Sequence, residues 1–588
     1  MTRWARLVIL ALKVTAAAVA LMVLPGWLLV FIPRWLIRGA SIAFLGTLLA
    51  VYVVAVPAVL VGCVCSFLGV ARARRRRDRA GVIRAIRWAL LASSCLAGLI
   101  AIELASATKL RWSQRLPDLP TRFKKPPSPR SPAAGPKGAP VQNRENGAAP
   151  DSGTGARDEL YIVVVGESSA LGEPYHPWLS VGQIVGWQLE RIFPRRKIRV
   201  DVRAKGGLCL EQAVLLLRDL TRRPDAIIVF SGQNEFQARF GWSRNVRHYV
   251  EEGPEHPLAL IELARWASST ARLILETLDR YRGESPPPPR VTRELVDHPT
   301  CTPAEHAFLL EDFHRRLDAL AAYCRRIGTL PILIVPGSND GAYEPSRSVL
   351  AGSTPPEKRA AFAREFQAVR TAEAEDPESS IAAYRRLLEQ HPEFAESHYR
   401  LARLLVRTRD WEEARRHFIM ARELDGFILR CPADFREAYR TVARRHDAVL
   451  IDGPELLLRL SPHGILDDHL FHDAQHLNLA GTVALAQDML EQLERRRAFG
   501  WPETAPVPRV KPDECARHFE LNAGKWSLVC SRSSDFYRRT AYVRFDPSER
   551  KEVAERYDRA ARELAAGRPL VEQSGLPSLD MAIIDPER

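Results

Sequence analysis

The chain is poor in cysteine for its length, with nine in 588 residues and none in a C-x-x-C pair. That removes the usual spacing of a zinc ribbon or a thiol redox motif. Cys63, Cys65 and Cys95 lie in apolar segments; Cys209, Cys301, Cys324, Cys431, Cys515 and Cys530 lie beyond them. A basic face interleaved with aromatics is also lacking. The formal charge of +14, from 84 Lys and Arg against 70 Asp and Glu, is therefore no nucleic-acid signature, and no nucleic-acid partner is expected. Eight arginines fall between Arg72 and Arg87 alone, flanked by apolar runs. The length excludes a single ordinary domain and suggests roughly three or four units.

Charge is absent from residues 14–33, VTAAAVALMVLPGWLLVFIP. A second apolar run covers 39–71, and a third, 88–106, is interrupted only by Glu103. Each is long enough to cross a bilayer, so 1–110 reads as a membrane anchor with three transmembrane helices. A cleaved signal peptide is the alternative for the first segment. The positive-inside rule puts the Arg72–Arg87 loop in the cytoplasm, and with it the N-terminus bearing Arg3, Arg6 and Lys13. The remainder is expected on the periplasmic or extracellular side of the inner (cytoplasmic) membrane. Residues 111–157 are rich in Pro, Ser, Gly and Ala and read as a tether with no core of its own.

From 158 to 338 the pattern becomes α/β. Leu160–Val165 has the composition of a strand buried on both faces. Val200–Ala204, Ala226–Ser231, Ile332–Val335 and Ala448–Asp452 read as four more strands. Helical patterns at 181–193, 211–221, 304–327 and 479–496 alternate with them, which predicts a parallel sheet with right-handed crossovers. A helical piece near 257–282 and the loop Pro286–Pro289 belong to a region with no functional reading. Residues 356–426 break the rhythm with helices only. Within 395–426, Tyr399, Leu401, Ala402, Trp411, Ala414, Phe418 and Ala421 have tetratricopeptide spacing. Residues 361–394 read as a degenerate copy, with Tyr384, Leu387 and Pro392 in register. Two copies are fewer than a free-standing solenoid needs. The insert is expected to dock on the α/β domain, as packing or as a small protein-binding surface. The division is completed by 427–499, the second part of the α/β domain, and a charged extension, 500–588, with a helical stretch at 549–566. Cys515 and Cys530 lie where oxidation is possible, which raises a disulfide.

Chemistry concentrates just after strand ends: Gly166-Glu167-Ser168-Ser169, Lys205-Gly206-Gly207, Ser231-Gly232-Gln233-Asn234-Glu235 and Asp473-Ala-Gln-His476. In a doubly wound sheet the C-terminal strand ends share one rim. A serine hydroxyl needs a neighbouring base. His476 supplies one that works near neutral pH, and Asp473 can orient it. The developing oxyanion needs donors, which the N–H of Ser168, the N–H of Gly207 and the amide of Asn234 can supply. An isolated Ser168 is equally a helix cap.

These blocks resemble the SGNH (GDSL-like) hydrolases, in particular a membrane-tethered bacterial subgroup with tetratricopeptide repeats inserted before the last strand; GQNEF at 232–236 and SPHGI at 461–465 add to the likeness. The resemblance covers roughly 158–338 and 445–497. It implies a flavodoxin-like three-layer α/β/α sandwich with a five-stranded parallel sheet. It also implies Ser168 as nucleophile and first oxyanion donor, Gly207 and Asn234 as further donors, and Asp473 with His476 as the base pair. No cofactor and no metal are implied. Glu167 and Glu235 stand where the family usually has Asp. Cys209 stands near the glycine block, leaving Gly206 or Gly207 as the donor. The expected activity is that of a serine esterase or acyltransferase on an ester of an envelope glycan or lipid. Two alternatives belong to other classes. The hydrolase fold can be an inert or slow scaffold whose repeats bind a protein partner. Alternatively, His472-Asp-Ala-Gln-His476, with His463 and His469 nearby, resembles the H-E-x-x-H zinc helix.

Overall fold

In the computed structural model the described residues are 82–83, 86, 104, 119–121, 159–240, 295–296, 301, 303–541, 543–568, 570 and 575–584. The expected membrane segments and the tether lie outside them, single positions apart, as do the helical piece at 257–282 and the loop Pro286–Pro289. Among the described residues no helix is long and apolar enough to cross a membrane. The chain divides into two units, Met1–Arg115 with Glu252–Pro289, and Leu116–Glu251 with Arg290–Arg588. All elements below belong to the second.

The α/β part runs β1 (Glu159–Gly166), α1 (Ser168–Leu171), α2 (Val181–Ile192), β2 (Lys197–Ala204), α3 (Leu210–Leu215), β3 (Ala226–Phe230), α4 (Glu235–Phe240), α5 (Pro303–Arg326) and β4 (Leu330–Val335). The insert follows as α6 (Pro356–Ala372), α7 (Pro377–Gln390), α8 (Ala395–Arg407) and α9 (Trp411–Glu423). The sheet then resumes with α10 (Ala433–His446), β5 (Val449–Asp452), α11 (Gly453–Leu460) and α12 (Leu479–Arg495). The chain closes with α13 (Pro512–His518), α14 (Ala523–Ala541), α15 (Ser548–Ala565) and the short α16 (Met581–Ile584).

The five strands are all parallel, in the order β2-β1-β3-β4-β5. Period-two alternation divides their side chains between two faces. Leu160, Ile162, Val164, Ile228 and Ile334 join α2 and α12 in one core; Tyr161, Val163, Val165, Val229 and Leu333 join α3, α5 and α10 in the other. A strand covered on both sides must be apolar throughout, which is the composition of β1. Strand β2 starts earlier than its apolar pattern, at Lys197, because Glu159 pairs with Lys197 through the backbone whatever the side chains. Helix α3 is shorter than its pattern. After Leu215 the chain tightens, with the N–H groups of Leu216, Leu217 and Arg218 each bonding three residues back.

Register brings the business end together. Gly166 lies opposite both Ala204 and Phe230, so β1, β2 and β3 finish level. A Cβ at Gly166 would sit 1.9 Å from the Phe230 carbonyl oxygen, so only glycine lets the chain leave β1 there.

The insert has its own apolar core, in which Phe366, Tyr384, Phe394, Leu401, Ala402, Ala414 and Ala421 are buried. It also docks by charge. Glu396 of α8 pairs with Arg544, which reaches Glu344 in the loop after β4, and Arg422 pairs with Asp340 at 2.6 Å. The insert is therefore packed onto the α/β domain and onto the C-terminal extension at once.

Cys515 and Cys530 are both free, which corrects the disulfide expectation. Each is buried in the apolar core that α13 and α14 share with the sheet, and burial pushes both thiols up to about 12. Buried cysteines with raised pKa values are unreactive as a class. Intact mass should be the same with and without reductant, and both thiols should alkylate only after denaturation.

Candidate active site

Ser168 is the first residue of α1, directly beyond β1. It is not the helix cap: that position is Glu167, and the Ser168 hydroxyl is spent elsewhere. Ser168 Oγ lies 2.8 Å from His476 Nε2, across 308 positions of sequence. On the other side of the ring, His476 Nδ1 lies 2.8 Å from Asp473 Oδ2. A carboxylate only accepts, so Nδ1 carries the proton, and Nε2 is left to accept from the serine. Asp473 Oδ1 accepts the N–H groups of Gln475 and His476, at 3.0 and 2.9 Å, so one side chain both closes the turn and holds the imidazole.

Electrostatics follow from burial and this pairing. Burial alone would lower the His476 pKa, but the Asp473 charge and hydrogen bond outweigh it, and the imidazole sits above its ordinary value. Burial would raise Asp473, yet His476 and the two backbone donors hold it below the usual carboxylate range.

The glycine block lies close to the same serine. A Cβ added to Gly206 would lie 3.9 Å from Ser168 Cβ, which places the glycine block against the nucleophile. Gly207 follows with φ +77°, the left-handed region that glycine adopts without strain, and a Cβ there would meet nothing. Asn234 is buried, and its Nδ2 makes no hydrogen bond among the described residues. A buried amide donor without a partner is costly unless something transient takes it.

Two acids that the family resemblance marked only as departures turn out to brace these loops. Glu167 is fully buried; its Oε1 accepts from Gln233 N at 2.9 Å and its Oε2 from Asn234 N at 3.1 Å. Burial pushes its carboxyl well up, partly offset by those N–H groups and the nearby Asn234 amide. Glu235 accepts from Leu210 N at 2.8 Å, tying the third block to the start of α3, and burial pushes it up to about 7.

The extension past residue 500 forms part of the site, which no local pattern announced. Phe536 of α14 meets the His476 ring edge-on, centroids 5.5 Å apart. Arg532, one turn earlier, bonds the carbonyls of Pro174 and His176 in the loop after the nucleophile. Tyr557 of α15 donates to the His472 carbonyl at 2.9 Å. Tyr175, a few residues after the nucleophile, is buried against Trp526 and hydrogen-bonds His472 Nε2 at 2.7 Å, so it is a packing residue.

The zinc-helix arrangement is not formed. Residues 472–476 make a bend, not a helix. The His472 imidazole bonds Tyr175 while His476 bonds Asp473 and Ser168, so the two rings do not face one point. Among the described residues, Asp467, Asp468 and His469 are the group whose ligand atoms come within 4.8 Å of one another. There Asp467 already holds the His469 ring at 2.9 Å.

Comparison with known proteins adds one family and one structure. Residues 372–426 match the tetratricopeptide repeat family. No curated protein matches the chain. A crystal structure of an acetylxylan esterase from Geobacillus stearothermophilus aligns over 60% of this chain and 99% of its own, at 12% identity and a TM-score of 0.27. A superposition that loose carries no weight for fold or activity. The class that the fold and site define is thus an α/β protein with a five-stranded parallel sheet, a Ser-His-Asp constellation at its rim and tetratricopeptide-type helices inserted before the last strand.

Proposed function

We propose that the protein is a serine esterase or O-acyltransferase of the SGNH (GDSL-like) type, on a flavodoxin-like sandwich. The observation that carries this reading is the unbroken hydrogen-bonded series Asp473–His476–Ser168. Ser168 Oγ attacks the ester carbonyl as its proton passes to His476 Nε2, and Asp473 stabilises the imidazolium. The tetrahedral oxyanion is held by the N–H of Ser168, the N–H of Gly207 or Gly206, and Asn234 Nδ2. His476 then returns the proton to the departing alcohol, leaving an acyl-enzyme on Ser168. Water releases the acid, or a sugar hydroxyl takes the acyl group. The apolar segments 14–33, 39–71 and 88–106 would hold the enzyme in a cytoplasmic membrane, with its site on the periplasmic or extracellular face, near envelope glycan or lipid esters. The tetratricopeptide match favours a second role for the insert, binding a protein partner beside an active or inactive hydrolase.

Labelling of the purified full-length chain by a fluorophosphonate probe tests the proposal. Adduct on Ser168 is expected; an unlabelled wild type would sink it. Chelator-sensitive ester turnover without labelling would point to metal chemistry instead.

The pH profile is a further prediction. Only neutral His476 can accept the proton, and its pKa lies above the ordinary value of about 6.5. Ester turnover should therefore rise with pH through a value above that. Asp473→Asn removes the charge that favours imidazolium, so the limb should move to lower pH while kcat falls by up to about 10⁴-fold. A limb left in place would show that another group sets it.

A further inference from the structure

We propose that Glu167 is a positioning residue for the oxyanion site: its buried carboxyl group holds the loop bearing Asn234 so that the Asn234 amide faces the reacting carbonyl. This rests on the serine-hydrolase reading above. Glu167 directly precedes Ser168, so one dipeptide carries the nucleophile and the brace for a donor in the loop after β3. Both carboxyl oxygens are used, one on Gln233 N and the other on Asn234 N. The loop is gripped from the far side too. Gln233 Nε2 donates to the Gly337 carbonyl at 2.8 Å, and Gln233 Oε1 accepts from Cys431 N at 2.7 Å. The backbone of 233–234 is thus tied to the turn between β1 and α1 and to the segments after β4 and before α10. Asn234 Nδ2 is buried and makes no hydrogen bond among the described residues, while its amide lies near the Glu167 carboxyl. A donor kept unpaired in the resting site costs no reorganisation when charge develops. Helix capping does not account for the Glu167 side chain, which makes no cap hydrogen bond to α1.

Glutamine is the discriminating substitution. Its amide nitrogen cannot accept, so Glu167→Gln breaks one of the two clamps at nearly equal volume. Aspartate keeps both acceptors on a shorter arm. Turnover of p-nitrophenyl acetate by the full-length chain provides the test. Asn234→Ala should lower kcat by about 10²- to 10³-fold, the usual loss for one oxyanion donor. Glu167→Gln should lower kcat by about ten- to a hundredfold with little change in KM, since only transition-state stabilisation is lost. Glu167→Asp should fall only about threefold. A residue that acts through Asn234 has nothing to position once the amide is gone. The Glu167→Gln/Asn234→Ala double variant should then match Asn234→Ala within about twofold.

Fully additive losses, a loss carried by KM, wild-type kcat in Glu167→Gln, or Glu167→Asp no better than Glu167→Gln would each overturn the proposal. Should Glu167→Gln fail to fold by circular dichroism, the same cycle is run with Glu167→Asp. Its loss should vanish in the Asn234→Ala background; an equal loss in both backgrounds, or none in either, overturns the idea. A wild type that neither hydrolyses ester nor labels at Ser168 fails the hydrolase reading itself. Additive losses in an active wild type fail only the role given to Glu167.

Discussion

Ser168→Ala is expected to abolish fluorophosphonate labelling and to cut ester turnover by about 10⁴- to 10⁶-fold, without unfolding the protein. The size follows from what the hydroxyl does. It is the atom on which the acyl-enzyme forms, and the His476–Asp473 pair has no purpose without it. Removing the nucleophile from such a triad costs nearly as much as removing the whole triad, and what remains comes from the oxyanion donors and binding. The neighbouring hydroxyl is the control. Ser169 Oγ is buried and makes no hydrogen bond among the described residues, whereas Ser168 Oγ is aligned on His476 Nε2. Ser169→Ala should therefore keep its label, and peptide mapping of the adduct would decide between the two serines. Label that survives on the Ser168→Ala chain would show that another residue is the nucleophile.

The second large effect concerns stability. Arg544 is buried and makes a two-pronged pair with Glu396 of α8, each hydrogen bond 3.1 Å long, while also lying 3.1 Å from Glu344. Arg550 lies on the same Glu344 carboxylate and over the Tyr343 ring. A single cation thereby joins the repeat insert, the loop after β4 and the C-terminal extension. Arg544→Met leaves two carboxylates buried with less compensation, and about 3–5 kcal/mol of stability should be lost, the usual cost of breaking a buried pair on one side. Pairing it with Glu396→Gln should recover part of that loss, because one orphaned charge is removed. Chemical denaturation of the three chains measures both effects.

The network also sets an acid limit. Burial would raise the Glu396 pKa, but Arg544 and Arg400 bring it down to about 2. The unfolded glutamate titrates near ~4.3. The folded state thus binds the proton less readily, so this stability is fully present above ~4.3 and is lost as pH falls towards the folded value. Thermal midpoints between pH 5 and 2 should drop less steeply for Glu396→Gln than for wild type.

Several features were legible because they depend on near neighbours. The apolar run Leu160–Val165 has the composition of a strand covered on both faces, and β1 is one. Tyr399, Ala402, Ala414 and Phe418 have helix-pair spacing because a small residue on one helix must receive a large one from the next. Less was legible where charge masks a strand, as at Lys197, or where tight turns replace the last turn of a helix, as after Leu215. The zinc spacing at 472–476 misled because i and i+4 share a face only if the segment is helical, and Asp473 bends it instead.

The sequence by itself determined the α/β rhythm, the repeat-like insert and the residue types at the strand ends, since composition and periodicity are local properties. Tertiary structure alone decided which of those residues meet. Parallel register levels β1, β2 and β3, and chain closure brings His476 onto Ser168. Packing of the extension sets Phe536 against the histidine, and the reach of one buried side chain ties Glu167 to the Asn234 loop. Such pairings are sums over distant contacts, and no window along the chain contains both partners.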